Sequence, residues 1–174
     1  PRICDMIVQY GKAEKKRETL GITGAVGRNR DISKNPISKK EMKDNNKVRN
    51  SNIVWMNDPW IYKEIHPYVH MANKNAGWNF EWDFSESCQF TIYRKGQYYG
   101  WHRDSWDRPY DEDGPTKGKI RKLSVTVSLS DPGEYKGGEL EFDFKNEEPH
   151  KKPNIRTCTE ILSKGSLVVF PSFV

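Results

Sequence analysis

The sequence predicts an α+β fold, with helices packed on one face of a β-sandwich or open barrel. Two observations carry this. In the first part of the chain apolar residues recur at helical spacing, whereas from Phe80 onward the apolar period drops to two, with Gly, Pro and Asp punctuating the runs. A helix must bury one stripe and a half-buried strand one face, so helices laid on antiparallel strands satisfy both. A chain of 174 residues suits one domain with its own core, read here as residues 1–174.

Taken in order, "ICDMIVQYG" places Ile3, Met6, Ile7 and Tyr10 at helical spacing, and Gly11 is expected to end that helix. "TLGITGAVG" is short, apolar and glycine-rich, and reads as a strand. Residues 28–48 are polar, with one Pro and several Asn, and read as a mobile surface loop. "SNIVWM" is a short strand. "DPWIYKEIHPYVHMANKNAG" is a helix: Asp58 can cap it, Pro59 sits in its first turn, Ile61, Ile65 and Val69 share a face, and Pro67 can kink it. "FEWDFSESCQFTIY" alternates like a strand and "RKGQYYG" turns. "KLSVTVSLS" sets Leu123, Val125, Val127 and Leu129 on one face against Ser and Thr on the other. The turn "DPGEYKGG" leads to the alternating "ELEFDF", the loop "EEPHKKPN" follows, and "IRTCTEIL" and "SLVVFP" are the last strands. No internal repeat is evident.

Composition narrows the class. The chain is 34% hydrophobic and 30% charged, and its six Trp, eight Tyr and seven Phe are more aromatic surface than a disordered chain carries. The net charge of +5 admits an acidic partner, but the basic residues are scattered among Asp and Glu, as on an ordinary solvated surface. Cys4, Cys88 and Cys158 stand far apart with no CxxC, which suggests neither a zinc site nor a disulfide framework and fits reduced thiols in a cytoplasm. No apolar run is long enough to span a membrane.

The chemistry concentrates in "QYYGWHRDSW". If this stretch is a strand, His102 and Asp104, at i and i+2, aim an imidazole and a carboxylate at one point. Such a pair plus a distant histidine is the facial triad of non-haem Fe(II) oxygenases. Alone, HxD is a weak signal, since ordinary polar residues at a strand end give the same pattern.

The surroundings are more specific. "FTIYRKGQYYGWHRD", "RKLSVTVSLSDPGEYKGGELEF" and "LSKGSLVVFPS" follow one another in order. With these three segments the sequence resembles the 2-oxoglutarate- and Fe(II)-dependent dioxygenases, in particular the prolyl 4-hydroxylase-like branch and its bacterial and phage PKHD-type hydroxylases. The resemblance runs from about Ser51 to Val174 and is weaker before that. It implies a double-stranded β-helix core (jelly-roll or cupin-like) with the N-terminal helices packed on one face. The implied cofactors are Fe(II) and 2-oxoglutarate, with ascorbate as an accessory reductant. The implied reaction hydroxylates a prolyl or similar substrate, peptidyl or free, and releases succinate and CO2. A bacterial or phage-encoded cytoplasmic protein is expected.

Residue by residue, the resemblance makes His102 and Asp104 the first two iron ligands and Tyr93 the tyrosine that reaches the far carboxylate of 2-oxoglutarate. As a core aromatic Tyr93 would look the same. Arg121 is read as structural or supporting, Gly137 and Gly138 as a tight turn, and Glu139 as a strand-edge carboxylate. Tyr98, Tyr99, Trp101 and Trp106 can form a dry shell or grip substrate, with simple packing as the alternative; Tyr99, Trp101 and Trp106 are the candidates for substrate or lid contact. The loop from Trp106 to Gly118 is a candidate lid, or else a solvated connection.

The family's third ligand, a histidine, and the arginine that pairs with 2-oxoglutarate are expected just beyond Val174. On this reading the chain lacks its last core strand, its activity is impaired, and an exposed sheet edge favours a dimer. His66 and His70 share a helix face but precede the barrel and read as surface or packing residues; His150 lies in a polar loop expected at the surface. Two alternatives stand beside the dioxygenase: a non-catalytic β-barrel binding module, and a nucleic-acid-modifying dioxygenase. The acidic loop "DRPYDEDGP" beside His102 disfavours an approaching phosphate backbone. A peptide or small molecule is the expected substrate.

Overall fold

The computed structural model describes residues 2–27, 32–144 and 154–174. The chain is α+β, and among these residues the strands form several small antiparallel sheets. It divides into two compact units, each assembled from separated segments: Tyr10–Asn57 with Ser85–His102, and Pro1–Gln9 with Asp58–Phe84 and Arg103–Val174. No helix among the described residues is long and apolar enough to cross a membrane.

Helix α1 (Arg2–Ala13) opens the chain, with Cys4, Ile7 and Gly11 buried on one face. Gly11 does not end it. A Cβ at Gly11 would stand 2.6 Å from the Phe90 ring, so this glycine is there for close approach and not for a cap.

In the first unit, β1 (Thr19–Leu20), β3 (Asn52–Met56) and β4 (Cys88–Ile92) form an antiparallel sheet in the order β1-β3-β4. Ile53, Val54, Met56 and Phe90 are its buried core. Only two residues of "TLGITGAVG" pair as a strand; the rest turns into the short helix α2 (Gly24–Gly27). Residues 39–48, expected as loop, are helix α3 (Lys39–Val48). Its start is fixed by a capping box, in which the Ser38 hydroxyl accepts from the Glu41 amide and the Glu41 carboxylate accepts from the Ser38 amide. Residues 28–31 lie outside the described chain. On α3, buried Asn45 donates to the carbonyls of Gly21 and Arg49 and accepts from the Thr23 amide, tying the helix to the segments on either side. Strand β2 (Arg49–Asn50) pairs with β5 (Tyr98–Tyr99) in the register Arg49↔Tyr99 and Asn50↔Tyr98. The turn between β4 and β5 closes through the Gln97 amide on the Arg94 carbonyl, with Gly96 at φ +76°.

In the second unit, α4 (Pro59–Asn75) starts with Pro59 in its first turn and runs through Pro67. Ile61, Val69 and Asn73 are buried; Ile65 is only partly so. Residues 78–87 do not continue the expected alternation as a strand. Asn73 instead holds the Phe80 backbone by two hydrogen bonds of 2.9 and 3.0 Å, and Trp82 packs on the helix face carrying His66 and His70. Strands β6 (Leu123–Val127) and β9 (Leu167–Pro171) pair over five residues, and β7 (Glu141–Asp143) pairs with β8 (Ile155–Thr157). Along β6 the burial departs from the expected pattern: Ser124 is buried and Val125 exposed. The reason is a polar pair, Ser124 Oγ to Ser172 Oγ at 2.9 Å, in which each hydroxyl satisfies the other. Gly137 and Gly138 both sit at φ +76°, as the tight-turn reading requires. The loop holding His150 lies outside the described residues.

Candidate functional site

The division between the units falls between His102 and Arg103, so the two candidate ligands are placed by different surroundings. Neither lies on a strand. β5 ends at Tyr99, the Gly100 amide makes one more bond to the Val48 carbonyl at 2.7 Å, and residues 100–106 are irregular. The sequence suggested that a strand pleat would aim the pair; instead each residue is held by its own local bonds.

His102 is oriented twice. Its Nδ1 lies 2.7 Å from the Gly100 carbonyl, and its ring stacks on Tyr99 with centroids 3.6 Å apart and planes 9° from parallel. A neutral imidazole that donates from Nδ1 to a carbonyl carries its lone pair on Nε2, the arrangement usual for a metal-binding histidine. Tyr99 is held in turn: the Arg49 guanidinium carbon lies 4.4 Å from its ring centroid. With His102 and Arg49 on its ring, Tyr99 has a packing role, one of the two that the sequence left open for it.

Asp104 is fixed through its backbone. Arg121 Nη1 donates to the Asp104 carbonyl at 2.8 Å, and the next amide, Ser105, donates to the carbonyl of fully buried Ser172, just after β9. Arg121 is thus a supporting residue, as read from its position before β6. Arg103 pairs with Asp107 at the surface.

Tyr93 lies one residue past β4 and is 52% exposed. Desolvation nevertheless pushes its phenol above the ordinary range, and the nearby charge of Arg49 works against that rise. Trp101 and Trp106 are 41% and 38% exposed, open enough to meet a ligand. The loop that follows is closed at its neck: the Tyr110 amide donates to the Lys119 carbonyl at 2.9 Å and the Gly118 amide to the Tyr110 carbonyl at 2.8 Å. Lys119 also pairs with Asp83. Glu139 is exposed.

His66 and His70 both pack on Trp82, with ring centroids at 5.0 and 4.5 Å, which gives them the packing role expected. Burial, and then the neighbouring His70, lower the pKa of His66. Among the described residues no three His, Cys, Asp or Glu side chains gather as a metal site.

Sequence reasoning missed Arg49. It is 3% exposed, donates from Nε to Ser51 Oγ at 2.8 Å and from Nη2 to Gln89 Oε1, and fits only because a side chain at Gly21 would collide with it. No local pattern announces it, because its partner Gln89 is forty residues away.

At a stringent significance threshold no curated protein and no solved structure matches this chain. A family model does: that of the 2OG-Fe(II) oxygenase superfamily matches residues 88–174, half of the chain, from the start of β4 through His102, Asp104, Arg121 and β9. Supported by that match, the chain belongs to the 2OG-Fe(II) oxygenase superfamily.

Proposed function

We propose that this chain serves the 2-oxoglutarate-dependent oxidation of its superfamily by holding Fe(II) through His102 Nε2 and the Asp104 carboxylate, and that its substrate is a prolyl or similar group. The observation that carries the reading is His102: its Nδ1 is committed to a backbone carbonyl and its plane is fixed by a stacked ring. A nitrogen and a carboxylate oxygen suit Fe(II), so the donor chemistry fits the metal that the family uses. When bound, the iron and 2-oxoglutarate supply the oxidising power for hydroxylation, with succinate and CO2 released. The chain's own residues have simpler tasks. Arg121 and Ser172 hold the backbone at Asp104 and Ser105. Tyr93 is assigned to the far carboxylate of 2-oxoglutarate, its hydroxyl acting as a neutral donor. Trp101 and Trp106 are assigned to substrate contact and exclusion of water. The double-stranded β-helix is taken as the core architecture because the superfamily implies it.

The test is anaerobic absorption of the purified chain with Fe(II) and 2-oxoglutarate. Chelation of the keto acid by bound iron gives a visible charge-transfer band, and we expect it to vanish in His102→Ala and Asp104→Ala. A band that survives both substitutions, or none at millimolar reagents, refutes the ligand assignment. Succinate release with proline-containing peptides, set against free proline and single-stranded DNA, then tests the substrate class.

A further inference from the structure

We infer that Arg49 is a positioning residue for the His102 imidazole, acting through the Tyr99 ring. This rests on the reading of His102 as a metal ligand. The hydrogen bond from Nδ1 to the Gly100 carbonyl sets the tautomer, and the Tyr99 ring, stacked at 3.6 Å and 9°, sets the plane of the imidazole. An imidazole so close and so nearly parallel covers one face of the phenol ring. Arg49, 4.4 Å from the same centroid, covers the other.

Arg49 is built for this place. β2 and β5 pair it with Tyr99 directly across the ladder. Asn45 on α3 donates to its backbone carbonyl at 3.2 Å, and Ser51 and Gln89 accept from its side chain. All three side chains are neutral, and no carboxylate among the described residues pairs with this buried guanidinium. Burying a cation is costly unless its charge is used. Here the charge faces the negative face of an aromatic ring in a water-poor setting, where such attraction is strongest. Gly21 leaves the room the guanidinium needs. The stack is therefore guanidinium, phenol, imidazole, held within one unit of the chain.

The test is Co(II) binding to the full chain by calorimetry, with a thermal melt of every variant. Supporting partners of metal ligands are worth about tenfold or more in affinity. Arg49→Met and Tyr99→Leu should each weaken Co(II) binding about tenfold, and Tyr99→Phe, which keeps the ring, should bind like the parent. The double variant Arg49→Met with Tyr99→Leu should bind no more weakly than Tyr99→Leu alone, since both act through one stack. If Arg49→Met does not fold, Arg49→Lys and the Tyr99→Phe against Tyr99→Leu contrast read the same stack. Parent-like binding by folded Arg49→Met or Arg49→Lys and by Tyr99→Leu, with binding lost in His102→Ala, overturns the inference and leaves the metal reading standing. Losses that add in the double variant also overturn it. Binding retained in His102→Ala overturns both.

Discussion

The Ser124–Ser172 pair offers a sharp test of how the core under β6 and β9 is held. Ser172 is 0% exposed and Ser124 8%, and the hydroxyls lie 2.9 Å apart. Replacing Ser172 by Ala removes one oxygen and strands the other in a buried site that water does not reach. An unpaired buried hydroxyl costs about 1–3 kcal/mol, whereas an intact hydrogen bond of this kind contributes a net of only about 1 kcal/mol. Ser172→Ala and Ser124→Ala should therefore each destabilise by about 1–3 kcal/mol. The double variant leaves no orphan, so it should lose only about 1 kcal/mol, less than the two single losses together. Urea denaturation of the four proteins, with unchanged slopes, reads this directly. Additive losses would refute the reasoning, because they would mean that each hydroxyl has a partner other than its neighbour.

Three further outcomes are expected. Gly11→Ala should gain about 1 kcal/mol of helix propensity and lose about 1–3 kcal/mol to the collision with Phe90, for a net destabilisation that Phe90→Leu in the same chain relieves; urea midpoints check it. His66 has a folded pKa below its ordinary value of 6.5, so the unfolded chain binds the extra proton first. Its effect is absent well above pH 6.5, and stability falls as pH drops through 6.5 toward the folded pKa. His66→Phe should flatten the melting temperature between pH 7.5 and 5.5 by comparison with the parent, about two units across that ordinary pKa. Arg121→Met should weaken Co(II) binding about tenfold by releasing the Asp104 backbone, and unchanged affinity would remove Arg121 from the site.

What was legible in the sequence tracks how local its cause is. β3, α4 and β9 stand where their apolar residues put them: β3 buries Ile53, Val54 and Met56, α4 buries Ile61 and Val69, and β9 is half-buried along its whole length. Helix α3 was hidden: "KKEMKDNNKV" shows no apolar stripe, and its one fully buried residue is Asn45. The Ser38-x-x-Glu41 spacing was the available signal, a capping box that needs no hydrophobic pattern. The alternation of residues 80–84 misled because Asn73 of α4 holds the Phe80 backbone and Trp82 packs on the same helix, with no ladder formed. At the candidate site, the sequence could name His102 and Asp104 as the proposed ligands and Arg121 as a supporting residue. What orients His102 could not, since Arg49 and Tyr99 meet only through the pairing of strands fifty residues apart.

The closed neck at Tyr110 and Lys119 has an engineering consequence. Because the two ends are already joined by hydrogen bonds, lengthening the chain between them costs mainly the entropy of closing a larger loop. That entropy rises slowly: doubling the enclosed length costs only about 0.6 kcal/mol. Gly114 sits at φ +146° with open space around it. A foreign peptide spliced in there should leave the neck, and the unit to which it belongs, folded. The segment is thus a ready port for an epitope or a fluorescent reporter.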